Sequence, residues 1–375
     1  MNALGIINFE DNTAVITGLD DARPVPAIAF LGRYRIIDFV LSNMTNSGID
    51  NVQVYCKEKP RNLIEHLGSG THYNINSKRG NLRVLYGEKT FSSPVYNHDI
   101  ANFNLNMEYI EEDTNKYVVV APSYFLYSLD YSQVLKAHEA SGADITMVYT
   151  DREDADKSFL GCDRIDVAED GTVTGIGMNR GQNACASISL ECYVMKKDLF
   201  ISLVKEAEEI SSLYWFKDIL REKIKSKEED KLLIKGYGIK GFVACINSLP
   251  EYYKTSMALR DRSTASNLFK AGWPVYTQTN DSSPTMYNSG SHVTGSVVAN
   301  GSVINGTVAN SIISRAVTIG KDAVVNNSII LPGATIGEGV KLDHVIVDKF
   351  AVIEKVKEIT GTDEAPVYVK RRDRI

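Results

Sequence analysis

The chain has 375 residues, 43% hydrophobic and 23% charged, more than one ordinary domain needs and enough to bury a sizeable core. Its 41 basic and 47 acidic residues leave a net charge of -6, so no basic surface is on hand to neutralise nucleic-acid phosphates, and a nucleic-acid partner is not expected. No run approaches the roughly 18 apolar residues of a membrane span, and residues 1–7 are too short for the apolar core of a secretory signal; a two-domain cytoplasmic protein without membrane attachment is expected.

From residue 1 to about 250, short β-rich runs alternate with helical stretches. NVQVYC at 51–56, KYVVVA at 116–121 and ADITMVYT at 143–150 predict a Rossmann-like α/β domain with a mostly parallel sheet. Helices are predicted over residues 35–47, over 131–141 with Gly142 as the stop, and over 213–225 behind the cap signal of Ser211 and Ser212. Residues 249–269 read as one connecting helix. Past Trp273-Pro274 the charged helical pattern gives way to Val, Ile, Gly, Asn and Ser at short intervals, which predicts domains over 1–275 and 276–375. The five cysteines, Cys56, Cys162, Cys185, Cys192 and Cys245, are odd in number and form no CxxC, as expected of reduced, packed thiols rather than a disulfide frame or zinc site.

The second region repeats. Val298 and Ile304 are six apart, as are Ile313, Ile319 and Val325, and Ile330, Ile336 and Leu342, with slips of nine and five residues between the sets. Small or branched residues follow four places after each, among them Ser302, Val308, Ala323 and Val340. An inward aliphatic at every sixth position suits a triangular parallel β-helix, in which each flat side takes one hexad. An antiparallel sandwich would show period-two alternation instead.

Residues 33–49, RYRIIDFVLSNMTNSGI, closely resemble the KYRIIDF, LSN and NSGI stretch of bacterial ADP-glucose pyrophosphorylases, the glucose-1-phosphate adenylyltransferases. HLGSG at 66–70, Tyr131, GFVACINSLPEYY at 241–253 and the hexads follow in the order of that family. The resemblance implies a nucleotidyltransferase-type α/β domain followed by a left-handed parallel β-helix. It also implies tetramers that join ATP and glucose 1-phosphate to give ADP-glucose and pyrophosphate.

That reaction needs a glycine-rich turn for the triphosphate, cations beside it, carboxylates for Mg²⁺ and a cation for the sugar phosphate. By the resemblance, the family's GGxGTR loop falls on residues 10–15, with Glu10 and Asp11 in place of glycines and Val15 in place of arginine. The lysine of RAKPAVPF falls on Val25, the metal-binding aspartate of GDH on Ser123 and that of WRDVG on Cys245. The sugar-phosphate lysine of FVEKP falls in the segment ending at Asn179, where no lysine stands. Carboxylates repel a triphosphate, β-carbons block the close backbone approach glycine permits, and a hydroxyl and a soft thiol are poor Mg²⁺ ligands.

This pattern resembles the regulatory, non-catalytic subunit type of the family. It implies no cofactor in this chain, Mg²⁺ in the catalytic partner subunit, and a heterotetramer with that partner, or a homo-oligomer when alone. The family's lysine at the position of Arg33 contributes to an anionic effector site between the domains; Arg33, Arg35, Lys370 and Arg371 are the matching candidates here. Two other readings stand beside this one: an active sugar-phosphate nucleotidyltransferase whose metal site has moved to Asp38, Asp99 or Asp130, and a purely structural, self-assembling β-helix protein. His344, in the late hexads, admits a hexapeptide acyltransferase, which the preceding domain argues against. His98 and Asp99, adjacent on an extended chain, would point opposite ways. Tyr214, Trp215 and Phe216, where the family has DFG, either fill the sugar pocket or pack a helix start into the core.

Overall fold

The structure, a computed structural model, describes every residue except 11–13, 76, 77, 79, 88–97, 212, 213 and 227–230. Contacts group the chain into two units: residues 1–14, 39–245 and 271–276, and residues 15–38, 246–270 and 277–375. This differs from a single cut at residue 275, because the segments 15–38 and 246–270 go with the C-terminal repeats.

The first unit is built on a nine-stranded sheet. Its centre is parallel, with Tyr117–Pro122, Ala3–Asn8, Asn51–Cys56 and Asn81–Tyr86 side by side. Antiparallel strands extend it on one side: Ala186–Lys196 runs against Tyr117–Pro122, Ile145–Arg152 and Asp163–Val167. One strand serves three neighbours because it is 11 residues long and bulges between Ser189 and Cys192, where Glu191 takes a φ of 49°. Leu4, Ile6, Val118 and Val120 pack with Phe103, Phe200 and Leu203 in one buried cluster.

Local capping sets the helix ends. Tyr131–Ser141 starts where the Asp130 carboxylate accepts from the Ser132 N–H and stops at Gly142, with φ 64°. The helix expected over 35–47 is Ile37–Asn46. That expected from residue 213 is Phe216–Lys225, preceded by Trp215, whose N–H donates to the Asp218 carboxylate at 3.0 Å; Ser212 and Leu213 lie outside the described residues. The single helix expected over 249–269 is two, Leu249–Ala258 and Arg262–Ala265. Asp261 leaves helical geometry (φ -71°, ψ 129°) and its carboxylate caps the Thr264 N–H, which starts the chain afresh.

A buried carboxylate joins three parts of this unit. Asp99 accepts from Asn8 Nδ2 at 2.8 Å, from the Ile100 N–H at 2.8 Å and from the Phe216 N–H at 2.9 Å. Burial outweighs these contacts and pushes its pKa up to about 7.

The second unit carries a left-handed β-helix of three five-stranded parallel sheets. Ile304, Ile319, Ile336 and Ile353 stack on one side, and Ile313, Ile330 and Val347 on another, all within one buried cluster. The slips in the hexads have a structural cause. Val308 to Ile313, Val325 to Ile330 and Leu342 to Val347 each span five residues, so three successive coils shorten the same corner, and Asn310, Asn327 and His344 turn it with φ of 48°, 43° and 54°. The slip of nine holds a further inward residue, Val308, paired with Val325. Serines follow the first two of these corners. Ser311 N donates to Ser296 Oγ (3.0 Å), Ser328 N to Ser311 Oγ (3.1 Å) and Val345 N to Ser328 Oγ (3.1 Å). Hydroxyls thus accept the N–H groups that the shortened corner would leave buried and unpaired.

Two outcomes are expected. Ser328→Ala should cost about 1–3 kcal/mol in a denaturant titration, because the Val345 N–H loses its acceptor, whereas Ser296→Ala, in the more exposed first coil, should cost less; equal midpoints would refute the ladder. Asp99 holds a proton in the folded state that the unfolded chain has released between about pH 4 and about pH 7, so its contribution to stability falls as pH rises through that window. The slope of melting temperature against pH there should flatten in Asp99→Asn, and an unchanged slope would show that Asp99 titrates normally.

Candidate functional site

In the first unit the positions matched to the family's chemistry sit at or just past strand ends. Ser123 follows Tyr117–Pro122, is fully buried, and donates its N–H to Asn8 O at 2.8 Å. Its Oγ is buried with no partner among the described residues. Cys245 ends Val243–Cys245, which pairs antiparallel with Phe125–Tyr127 and places Cys245 opposite Phe125, two residues after Ser123. The fold therefore brings Ser123 and Cys245 into one neighbourhood. Their donor set, one hydroxyl and one thiol without a carboxylate, does not fit Mg²⁺, which requires hard anionic oxygens.

Glu10 is buried beyond the strand Ala3–Asn8, and its charge adds to the burial that pushes the Cys56 thiol up to about 12. Asp11 lies outside the described residues. Asn179 is buried, and its amide nitrogen donates to the carbonyls of Ala155 (2.8 Å), Ser158 (3.1 Å) and Phe159 (3.1 Å), while its Oδ1 accepts from Gly181 N (3.1 Å). An amide so committed ties a loop and has nothing left for a phosphate. Val15 and Val25 belong to the second unit: Val15 is exposed and bridges to Ser248, and Val25 is buried in a short turn.

Trp215 packs against Phe9, the residue before Glu10. Its ring lies 4.9 Å from that of His98, meets Phe9 edge-on at 5.8 Å and has Lys57 Nζ 5.9 Å from its centroid. Phe216 points into the core against Phe200 and Tyr193, which is the core-packing alternative for this aromatic run. On the same helix, Lys217 and Arg221 are spent on Asp163, which is 2% exposed, at 3.3 and 2.5 Å. Each of the three aspartates of the alternative metal site is engaged by backbone N–H groups. Asp38 accepts from the Arg35 N–H (2.8 Å), Asp130 from the Ser132 N–H (2.9 Å) and Asp99 from two backbone N–H groups.

The second unit divides the four effector candidates. Arg35, whose guanidinium donates to Ala27 O, lies near Lys349 together with Arg23 and Arg371. Burial first, then these cations, push the Lys349 pKa down to about 7, against the adjacent Asp348 carboxylate. Arg33 is elsewhere: with Arg315, Asn280 and Asn300 it lines a cavity of about 440 Å³. Burial and the Arg33 charge hold Arg315 below its ordinary pKa. Lys370 is exposed. Arg33 thus lies in one cation cluster with Arg315, and Arg35 and Arg371 in another with Lys349 and Arg23; no spacing signal in the sequence marks Lys349, Arg23 or Arg315. His344 is held at its corner between Asp343 (2.9 Å) and Asp363 (3.3 Å).

Comparison with known proteins agrees with this architecture. The chain matches the nucleotidyl transferase family over residues 17–238 and the GlmU-like C-terminal hexapeptide family over residues 283–366. It is 32% identical over 374 residues to the glycogen biosynthesis protein GlgD of Bacillus subtilis (strain 168), covering 98% of this chain and 95% of that protein. It is 34% identical over 323 residues to GlgD of Geobacillus stearothermophilus, covering 86% and 82%. Against the glucose-1-phosphate adenylyltransferase of Clostridioides difficile (strain 630) the figure is 28% over 310 residues, covering 82% and 79%. A nucleotidyltransferase fold with unsuitable metal and phosphate positions, followed by hexapeptide coils and matched end to end by such relatives, places the chain in the nucleotidyl transferase family, among the GlgD glycogen biosynthesis proteins.

Proposed function

We propose that the chain is a regulatory subunit of glucose-1-phosphate adenylyltransferase in glycogen biosynthesis. It is inactive or weakly active alone, and it assembles with a catalytic subunit whose turnover and effector response it alters. One observation carries this reading: the positions that would hold Mg²⁺ and the sugar phosphate are a hydroxyl, a thiol and an amide already spent on three carbonyls. Mg²⁺ and the triphosphate belong to the catalytic partner in a cytoplasmic heterotetramer. Among the described residues no helix is long and apolar enough to cross a membrane. Regulation works as a shared conformational equilibrium: contacts in the mixed oligomer favour the partner's active state, and effectors bias the same balance.

The effector is an anion. Arg35, Lys349 and Arg371 repel one another, so an anion among them relieves repulsion and lets Lys349 take up the proton it has lost. The second cation cluster, Arg33 with Arg315, offers a cationic contact for an anion of the same kind.

The purified chain with ATP, glucose 1-phosphate and Mg²⁺ should turn over orders of magnitude more slowly than a catalytic homologue, since one lost electrostatic contact alone costs about 10²–10³-fold. Ser123→Asp should not restore it, because a metal without a phosphate loop has no triphosphate to act on. Co-expression with a catalytic subunit should yield a mixed complex with a raised maximal rate. Comparable turnover by the isolated chain, or co-expression without assembly or change in rate, would end the regulatory reading. For the effector, calorimetry with inorganic pyrophosphate at about pH 8, in buffers of differing ionisation heat, should detect proton uptake that Lys349→Met abolishes. Binding without proton uptake would place the anion elsewhere.

A further inference from the structure

A cavity of about 590 Å³ opens in the first unit where Tyr117–Pro122 and Ile145–Arg152 begin and Ala186–Lys196 ends, a strand's length from Ser123. One wall is His138, only 3% exposed. The imidazole is held from two sides: Nδ1 shares a hydrogen bond with Thr146 Oγ1 at 2.9 Å, and the Tyr117 ring meets it edge-on at 5.8 Å. Among the described residues Nε2 has no protein partner, and it is the polar atom this side chain has left to offer. The Lys196 ammonium is likewise without a partner among the described residues, whereas the neighbouring Lys197 is spent on the carbonyls of Glu111 and Asp113.

Charge decides what such a cavity accepts. Lys116 and Lys196 face Glu139 and Asp144, and the helix Tyr131–Ser141 ends here at Gly142, adding its partial negative end. An anion would meet two carboxylates and that helix end, and a cation would meet two ammoniums. A neutral ligand bearing several hydroxyls meets neither cost. Each hydroxyl donates and accepts, and charged partners make the stronger hydrogen bonds. Burial, with Lys196 acting in the same sense and Glu139 and Asp144 opposing it, holds His138 below its usual pKa, so a neutral imidazole serves as one more partner. Leu199 adds apolar surface for the C–H face of a ring, and the volume lies within the roughly 300–1,000 Å³ of small-molecule sites.

We propose that this cavity binds a neutral sugar unit, a free hexose or the end of a glucan chain, through His138 Nε2, Lys196 and Glu139. The proposal does not depend on the regulatory reading. It is tested on the full-length protein by saturation-transfer NMR and calorimetry with glucose, maltotriose and inorganic phosphate. Saturable binding of a sugar is expected; tighter binding of maltotriose identifies a chain end, and equal affinities a single unit. Lys196→Ala and Glu139→Ala alter exposed side chains and should each weaken binding about tenfold, while Lys205→Ala, on the separate ion pair with Glu111, should leave it unchanged. The proposal fails if neither sugar binds saturably into tens of millimolar, if phosphate binds in their place, or if both variants bind like the wild type.

Discussion

The second unit turns on one buried carboxylate. Asp348 is fully buried and accepts from the guanidinium of Arg23, itself 2% exposed, and from the Tyr368 hydroxyl at 2.8 Å. Arg23 is fixed in turn by Leu19 O at 2.8 Å. A buried ion pair adds little net stability over apolar packing, but losing one partner strands a charge in low dielectric, at about 3–5 kcal/mol. The pair therefore ties the segment 15–38 to the coils. That segment carries Arg33 and Arg35 with it, so both cation clusters belong to the repeat-bearing unit. Lys349, next in sequence to Asp348, is gathered among cations and holds its proton weakly.

The first unit shows why the fold does not depend on the residues at its chemical positions. In the LSN and NSG stretch, Asn43 donates to Tyr127 O (2.9 Å) and accepts from Trp273 Nε1 (2.8 Å), and Ser47 Oγ accepts from the Tyr131 N–H (2.8 Å). These contacts fix the helix Ile37–Asn46 against the elements that follow Tyr117–Pro122. They are structural, so they are required whether or not the protein turns over substrate. Ser123 follows a strand and Cys245 is the last residue of one, and ladder pairing uses backbone groups, so their side chains can change with the ladders intact. Fold and catalysis are thus separable here.

The repeats carry a similar lesson about backbone hydrogen bonds. A corner shortened to five residues would waste an amide in every coil, and the column Ser296, Ser311, Ser328 supplies the acceptors. In the sequence these serines look like ordinary turn residues. Their spacing follows the coil length, which is visible only once the coils are stacked.

The amino-acid sequence alone determined what local physics determines. Alternating strand and helix texture, the helix Tyr131–Ser141 between Asp130 and Gly142, and the inward aliphatics of the β-helix were all legible, because each depends on neighbours within one turn or one hexad. The family was legible too, through motifs of known order. The tertiary structure decided the rest: that residues 15–38 and 246–270 join the second unit, that Asp261 restarts a helix, that Val308 fills the long slip, and that Arg35 meets Lys349 while Arg33 meets Arg315. The cause is distance along the chain. Arg23 finds Asp348 325 residues away, and a pairing of that kind is set by how whole segments pack, which no local pattern of residue types encodes.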